Sequence, residues 1–315
     1  MCTLPETHPL QPLVHRAAKH YPRKHRSALH ELAHIYQLRP ESIETITPAR
    51  FGPYWKARHE IELAEDKDAA RESEKKWRRR DGIRVYTDGS DVDGGVGAAA
   101  VLYKPGRRQV KVLQHHLGPS SRHTVYEAEV VALILGMELV RQENSVRSVS
   151  LAVDNQAAVT SSRSAKSAPG HHLLDKYHQL QAKVKKKHRN LKITVRWVPG
   201  HMGIKGNEVA DEKAKEAARG SIEVRRPIPA ALRKALPQSV SKLHQMRTQE
   251  LKEEASRRWR NSPRNTGSSS LDYLADMRQF SSNYAQDTPP FRSIYTRSGK
   301  RKPRPAQLVK RHQRQ

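Results

Sequence analysis

The hydrophobic period of this chain changes at residue 83, and the order of periods beyond that point admits few architectures. Ile83-Arg84-Val85-Tyr86-Thr87 alternates and is β-branched, a strand pattern. Asp91-Val92-Asp93-Gly94-Gly95 is a turn cluster, residues 96–103 are small and apolar as in a buried strand, and a second turn at 104–108 precedes a third strand over 109–116. Val125, Ala128, Val131, Ala132, Leu135 and Leu139 then recur at helical spacing. Residues 148–153 form a short apolar strand, 155–160 start a helix, 161–168 are a small-residue loop and 169–188 a long helix. A last strand covers 191–198 and a last helix 208–218. The order β-β-β-α-β-α-α-β-α predicts an α/β fold with one mixed five-stranded sheet flanked by helices. Such sheets place their sites at the carboxyl ends of the parallel strands.

The flanks have other textures. Residues 1–82 read as a helical, connector-like region, with Leu10, Leu13, Val14, Ala17 and Ala18 in one stripe and Leu29, Leu32, Ala33, Ile35 and Tyr36 in another. Within it, 57–81 carries both charge signs and reads as a solvated helix or linker. Residues 220–315 form a basic region, helical over 231–259 and largely disordered beyond 266, ending in the tract Lys300-Arg301-Lys302-Pro303-Arg304-Pro305. The domains expected are therefore 1–82, 83–219 and 220–315.

Charge narrows the partners. The chain has 315 residues and a net charge of +27. Basic residues exceed acidic ones by 4, 9 and 14 over the three segments. Phosphate backbones suit such an excess, and solubility is the plainer explanation for the tail. The single cysteine, Cys2, excludes a disulfide scaffold or a cysteine-based zinc site, and suggests an intracellular setting without separating nucleus from cytoplasm. No apolar run has the length of a membrane span, and the first residues lack the basic-then-apolar pattern of a secretory leader. Oligomeric state is not legible.

Within this basic chain four acids stand at telling places. Asp88 and Asp154 follow strand-like stretches, and Glu129 and Asp211 sit on helix-like ones. Gathered above one sheet, they repel each other unless cations lie between them. Carboxylate oxygens suit Mg²⁺, with Mn²⁺ as a substitute. Two such ions neutralise the cluster and serve phosphodiester hydrolysis.

The pieces Thr87-Asp88-Gly89-Ser90, Ala128-Glu129, Val153-Asp154-Asn155-Gln156-Ala157-Ala158, and Trp197-Val198-Pro199-Gly200-His201 through Gly206-Asn207-Glu208 to Asp211 fix a resemblance. Residues 83–219 resemble the type 1 ribonuclease H domain, in the version carried by non-LTR retrotransposon polyproteins. The resemblance implies a ribonuclease H-like fold and cleavage of RNA within RNA–DNA hybrids. It implies that Asp88, Glu129, Asp154 and Asp211 are the metal-binding catalytic carboxylates. His201 falls on the mobile-loop histidine that assists proton transfer or product release. Ser90, Thr124, Gln156 and Asn207 fall among the substrate contacts, Thr124 beside a DNA phosphate. Some relatives carry an extra basic helix where the loop 161–168 stands, and this loop is too short for one.

The flanks resemble fungal elements of that kind less specifically. Arg26-Ser27-Ala28-Leu29-His30 and Glu41-Ser42-Ile43-Glu44-Thr45-Ile46 look like the connector after a reverse transcriptase. Leu236-Pro237-Gln238-Ser239 and Trp259-Arg260-Asn261-Ser262-Pro263-Arg264 look like the stretch downstream of the hydrolase in such elements. Neither a polymerase signature nor a Cys/His knuckle accompanies them, so the chain reads as a fragment or derivative, and a reverse transcriptase module is a candidate partner.

Each assignment has a plainer rival. Asp88 could be a turn residue, Asp154 a cap for the helix at Asn155, and Asp211 an ion-pair partner of Lys215 four residues on. Glu127 competes with Glu129 and reads as its solvated neighbour. Lys185-Lys186-Lys187 reads as a solvated helix end. The whole could be a catalytically silent nucleic-acid-binding remnant, or another nuclease or transposase of the same superfamily fold.

Overall fold

The structure, a computed structural model, describes residues 39–107, 109–221 and 228–260. The helical stripes expected before residue 39, and the tail expected to be disordered beyond 266, lie outside the described residues. Of the region 1–50, residues 39–50 are described. They hold one 3₁₀ turn, Pro40–Ser42, in place of the expected helix. Pro48 lacks a helical N–H, and Ile43 bridges Gln238 instead.

One mixed sheet organises the rest, in the order β1-β6-β5-β2-β3-β4. β2 (Ile83–Val92), β3 (Gly95–Tyr103) and β4 (Lys111–Pro119) form the meander. β5 (Ser148–Val153) and β6 (Lys192–Trp197) continue it in parallel. The sixth strand is an addition to the five expected. β1 (Glu60–Glu62) pairs in parallel with β6, and at three residues it is too short for alternation to announce it.

Helix α1 (Lys67–Arg79) comes after β1, capped by the Asp66 side chain on Ala69 N. Its mixed charge suggests a solvated helix, yet Ala70, Glu74 and Trp77 are buried. Glu74 binds Arg196 at 2.5 Å and accepts from Tyr86 Oη at 2.5 Å. A buried guanidinium next to a buried carboxylate explains both burials, since each would be costly alone.

α2 (Val125–Gln142) is buried along nearly its whole length between the sheet and α4 (His171–Lys187). Its start is a capping box. Thr124 Oγ1 accepts from Glu127 N, and Glu127 Oε2 accepts from Thr124 N at 2.8 Å. α3 (Gln156–Ser161) is a single short helix capped by Asn155. α5 (Lys205–Ala218) packs on the other face of the sheet, over β2 and β3. Its approach demands glycine, since a Cβ on Gly97 would stand 2.1 Å from Ala218 N. Two apolar clusters result, a large one under α2 and α4 and a small one of Tyr86, Val101, Ala152, Val198, Ile204 and Ala210 under α5.

The described flanks meet each other. Glu44 N donates to Gln238 O, and Gln238 N to Ser42 O. The buried Glu44 carboxylate accepts from Gly170 N at 2.6 Å, ahead of α4, and from Val240 N at 2.9 Å, the first residue of α6 (Val240–Arg260). One acid thus serves the starts of two helices, where negative charge is favoured. Among the described residues, no helix is long and apolar enough to cross a membrane.

Candidate active site

The site grows from a split in strand pairing. The alternation in the sequence ends at Thr87, but β2 runs on to Val92 against β3. Its pairing with β5 stops at Thr87↔Val153. Asp88 therefore lies inside the strand, with one neighbour already gone. Asp154 is the first residue beyond β5, so the two carboxylates leave adjacent strands at the same level.

Glu129 reaches the same point from the opposite face. A Cβ on Gly89 would lie 2.6 Å from Glu129 N, so the glycine lets α2 approach and its N–H bonds the Glu129 carboxylate. Oxygens of Asp88, Glu129 and Asp154 lie within 4.8 Å of one another. Asp88 and Glu129 are buried, and Glu129 Oε2 has no hydrogen-bond partner.

A buried carboxyl with other carboxylates beside it resists ionisation, as Asp88 and Glu129 do here. Burial, then the charges of Asp154 and Asp211, push the Asp88 carboxyl up to about 8. Burial, then Asp88 and Asp154, raise Glu129 well above its ordinary value. An all-oxygen, anionic donor set with an unpartnered buried oxygen fits a hard divalent cation.

Asp211 is not within that triad. It is near enough to raise Asp88, and Lys215 donates to its Oδ2 at 2.8 Å. The plainer pairing with Lys215 is therefore present, and Lys215 also lowers the Asp88 carboxyl, partly opposing the rise. The i,i+4 spacing was the signal for it.

His201 sits in the β6–α5 loop beside the triad. A Cβ on Gly200 would come 3.2 Å from Asp154 Oδ2, so the loop passes directly over that carboxylate. His201 itself is exposed and has φ 55, with Gly203 at φ 69. A non-glycine residue with positive φ is uncommon and marks a tightly set loop. Trp197 Nε1 donates to Asp154 O at 3.0 Å, tying β6 to the same residue.

The expected substrate contacts are scattered in character. Gln156 is exposed at the first turn of α3, whereas Ser90 and Asn207 are buried, and Asn207 Oδ1 is unpartnered. The Thr124 hydroxyl both accepts from Glu127 N and donates to Glu127 Oε2, so it serves the helix cap. Glu127 is thereby accounted for. It is buried rather than solvated, and it closes the capping box. Asp154 is not the cap of α3, because Asn155 is.

Sequence reasoning missed the layer beneath. Tyr86, two residues before Asp88, holds Glu74 and lies under α5, where a Cβ on Gly206 would strike its ring at 2.3 Å. The signal was the Glu74–Trp77 spacing on α1, hidden in a segment of mixed charge.

Residues 80–219 match the family model for RNase H. No curated protein matches the chain. Among solved structures, the RNase H1 of the halophilic archaeon Halobacterium salinarum is 20% identical, covers 44% of this chain and 98% of its own, and has a TM-score of 0.35. The N-terminal RNase H domain of Rv2228c from Mycobacterium tuberculosis is 23% identical, with the same coverage of 44% and 98% and a TM-score of 0.35. The prototype foamy virus RNase H domain is 17% identical over 44% of this chain and 94% of its own, with a TM-score of 0.35. Residues 80–219 are thus similar to RNase H domains, and the mixed sheet with flanking helices is the ribonuclease H-like fold, with one strand added.

Proposed function

We propose that the protein hydrolyses the RNA strand of RNA–DNA hybrids, as a type 1 ribonuclease H dependent on two divalent cations, Mg²⁺ or Mn²⁺. The observation that carries the reading is the meeting of Asp88, Glu129 and Asp154 within 4.8 Å at the carboxyl end of β5. Ionised together these carboxylates repel one another, and bound cations would relieve that repulsion.

Asp88, Glu129, Asp154 and Asp211 hold the ions in this reading. Bound there, the ions supply charge neutralisation and an activated water for in-line attack at phosphorus. The residues of the chain do the rest. Asp88 and Asp154 fix the spacing through the paired ends of β2 and β5. His201, on its loop over Asp154, accepts or returns a proton as the leaving oxygen departs. Gln156, exposed on α3, reads 2′-hydroxyls across the wide minor groove of the hybrid. Ser90 and Asn207 serve as further contacts with the hybrid, and Thr124 with the start of α2 meets a DNA phosphate through helix N–H groups.

The flank motifs support descent from a non-LTR retrotransposon polyprotein, with a reverse transcriptase module as working partner inside the cell. In that reading the hydrolase is 83–219, between a connector over 1–82 and a basic region over 220–315.

The test is cleavage of a labelled hybrid with Mg²⁺ by the full chain and by Asp88→Asn. Loss of cleavage in the variant supports the assignment. Equal cleavage by both proteins overturns the assignment of Asp88 to the reaction, and none by either leaves the silent nucleic-acid-binding reading in its place.

A further inference from the structure

Residues 50–58, Arg-Phe-Gly-Pro-Tyr-Trp-Lys-Ala-Arg, lie before the matched domain and outside the carboxylate machinery. They interleave aromatic and basic side chains, and the fold gives them a fixed shape. Trp55 N donates to Gly52 O at 3.1 Å, closing a turn with Pro53 in its second position. Phe51 and Trp55 stack across the turn, centroids 4.1 Å apart and planes 4° from parallel. The Arg50 guanidinium covers Phe51 at 4.9 Å.

The turn is fastened down as well. Arg50 bonds Asp175 on α4 at 2.7 and 3.0 Å and the carbonyls of Ser164 and Lys166 at 3.0 and 2.8 Å. Both stacked rings also meet His178 edge-on. Its side chain fully covered, Arg50 is occupied by this anchorage and neutralises Asp175.

At its tip the turn presents Tyr54, which is 94% exposed. An aromatic ring held in water by a rigid frame buries nothing of its own. Beside it, Lys56 and Arg58 are exposed, and a cleft of about 310 Å³ opens between Trp55, Arg58 and Gln179. Exposed aromatics interleaved with cations match the two groups an unpaired nucleic-acid strand offers, a flat base and then a phosphate. A protein partner would call for an apolar surround, and the neighbours here are Lys56 and Arg58.

We propose that this turn is a second nucleic-acid contact, in which Tyr54 stacks on a base of a single strand while Lys56 and Arg58 hold its phosphates. The site lies against Asp175 and His178 of α4, shares no residue with the carboxylate cluster, and needs no hybrid cleavage to operate. Because the frame is built before the strand arrives, little ordering cost falls on binding.

The experiment uses the full chain and a single-stranded DNA oligonucleotide carrying 2-aminopurine, whose fluorescence falls when the base stacks. The parent and Tyr54→Phe should quench it alike. Tyr54→Ala should lose the quench and bind about tenfold more weakly, while still cleaving a short hybrid at the parent rate. Lys56→Gln with Arg58→Gln should flatten the salt dependence by about 0.7 per side chain in log–log slope. Quenching by Tyr54→Ala equal to that of the parent overturns the proposal, whether or not the hybrid is cut.

Discussion

The charge stored at Asp88 makes its replacement by asparagine a stabilising change in the absence of cations. The unfolded carboxyl titrates near 3.8 and the folded one near 8. Between those values the folded state holds a proton that the unfolded state has released, so stability falls as pH rises. About three units separate 3.8 from neutrality, and at about 1.36 kcal/mol each the cost at pH 7 has a ceiling of about 4 kcal/mol. Glu129 and Asp154 share the field and keep part of it when Asp88 is replaced. A gain of about 2 kcal/mol is expected, or roughly 4–8 °C in melting temperature for a domain of this size. The assay is thermal melting in EDTA at pH 5 and pH 8, for the parent and Asp88→Asn. The variant should lead by clearly more at pH 8. Added Mg²⁺ should raise the parent and close the gap. A lead that is absent, or the same at both pH values, refutes the reasoning.

Other expectations concern the frame around the site. Glu74→Ala strands Arg196 without its carboxylate and should cost about 3–5 kcal/mol in urea unfolding; a loss under about 1 kcal/mol would show that the pair carries no net weight. Gly206→Ala forces a Cβ against the Tyr86 ring at 2.3 Å and should cost about 1–3 kcal/mol; an unchanged urea midpoint would mean that α5 shifts freely. His201→Ala should lower kcat on a hybrid about a hundredfold with KM little changed; an effect confined to KM would move His201 from proton transfer to binding. Burial opposes ionisation of Glu44, but hydrogen bonds from His172, Gly170 and Val240 outweigh it and hold its carboxyl below 4.5. Its contribution is therefore complete above 4.5 and fades as pH falls through that lower value. In Glu44→Gln, acid-promoted proteolysis near residue 240 should begin at higher pH; identical onset in both proteins would deny Glu44 the role.

The sheet was legible because period decides it. Alternation over 83–87, the helical stripe from Val125 to Leu139 and the apolar run 148–153 each announce their element without help from tertiary contacts. The extension of β2 through Asp88 was not legible, because a strand can lose its partner on one side while keeping it on the other. Burial of Glu127 was hidden for a different reason. A glutamate two residues before the clustered Glu129 looks solvated until the Thr124 cap is seen to need it. α1 shows the same limit, since Glu74 advertises charge and only Arg196, more than a hundred residues later, makes its burial tolerable.

β1 also guards the edge of the sheet. Without Glu60–Glu62, β6 would be an outermost strand, offering a row of unsatisfied N–H and C=O groups along Lys192–Trp197. Such a rim is a template for pairing with another molecule. Three residues cover its centre, and the exposed Glu60 places charge on the outside, where a further strand would have to dock. A piece of the chain cut at residue 80, keeping only the stretch that the family model matches, would lose β1 and leave that rim unpaired. The short segment ahead of the matched domain thus closes an edge that the domain alone would leave open.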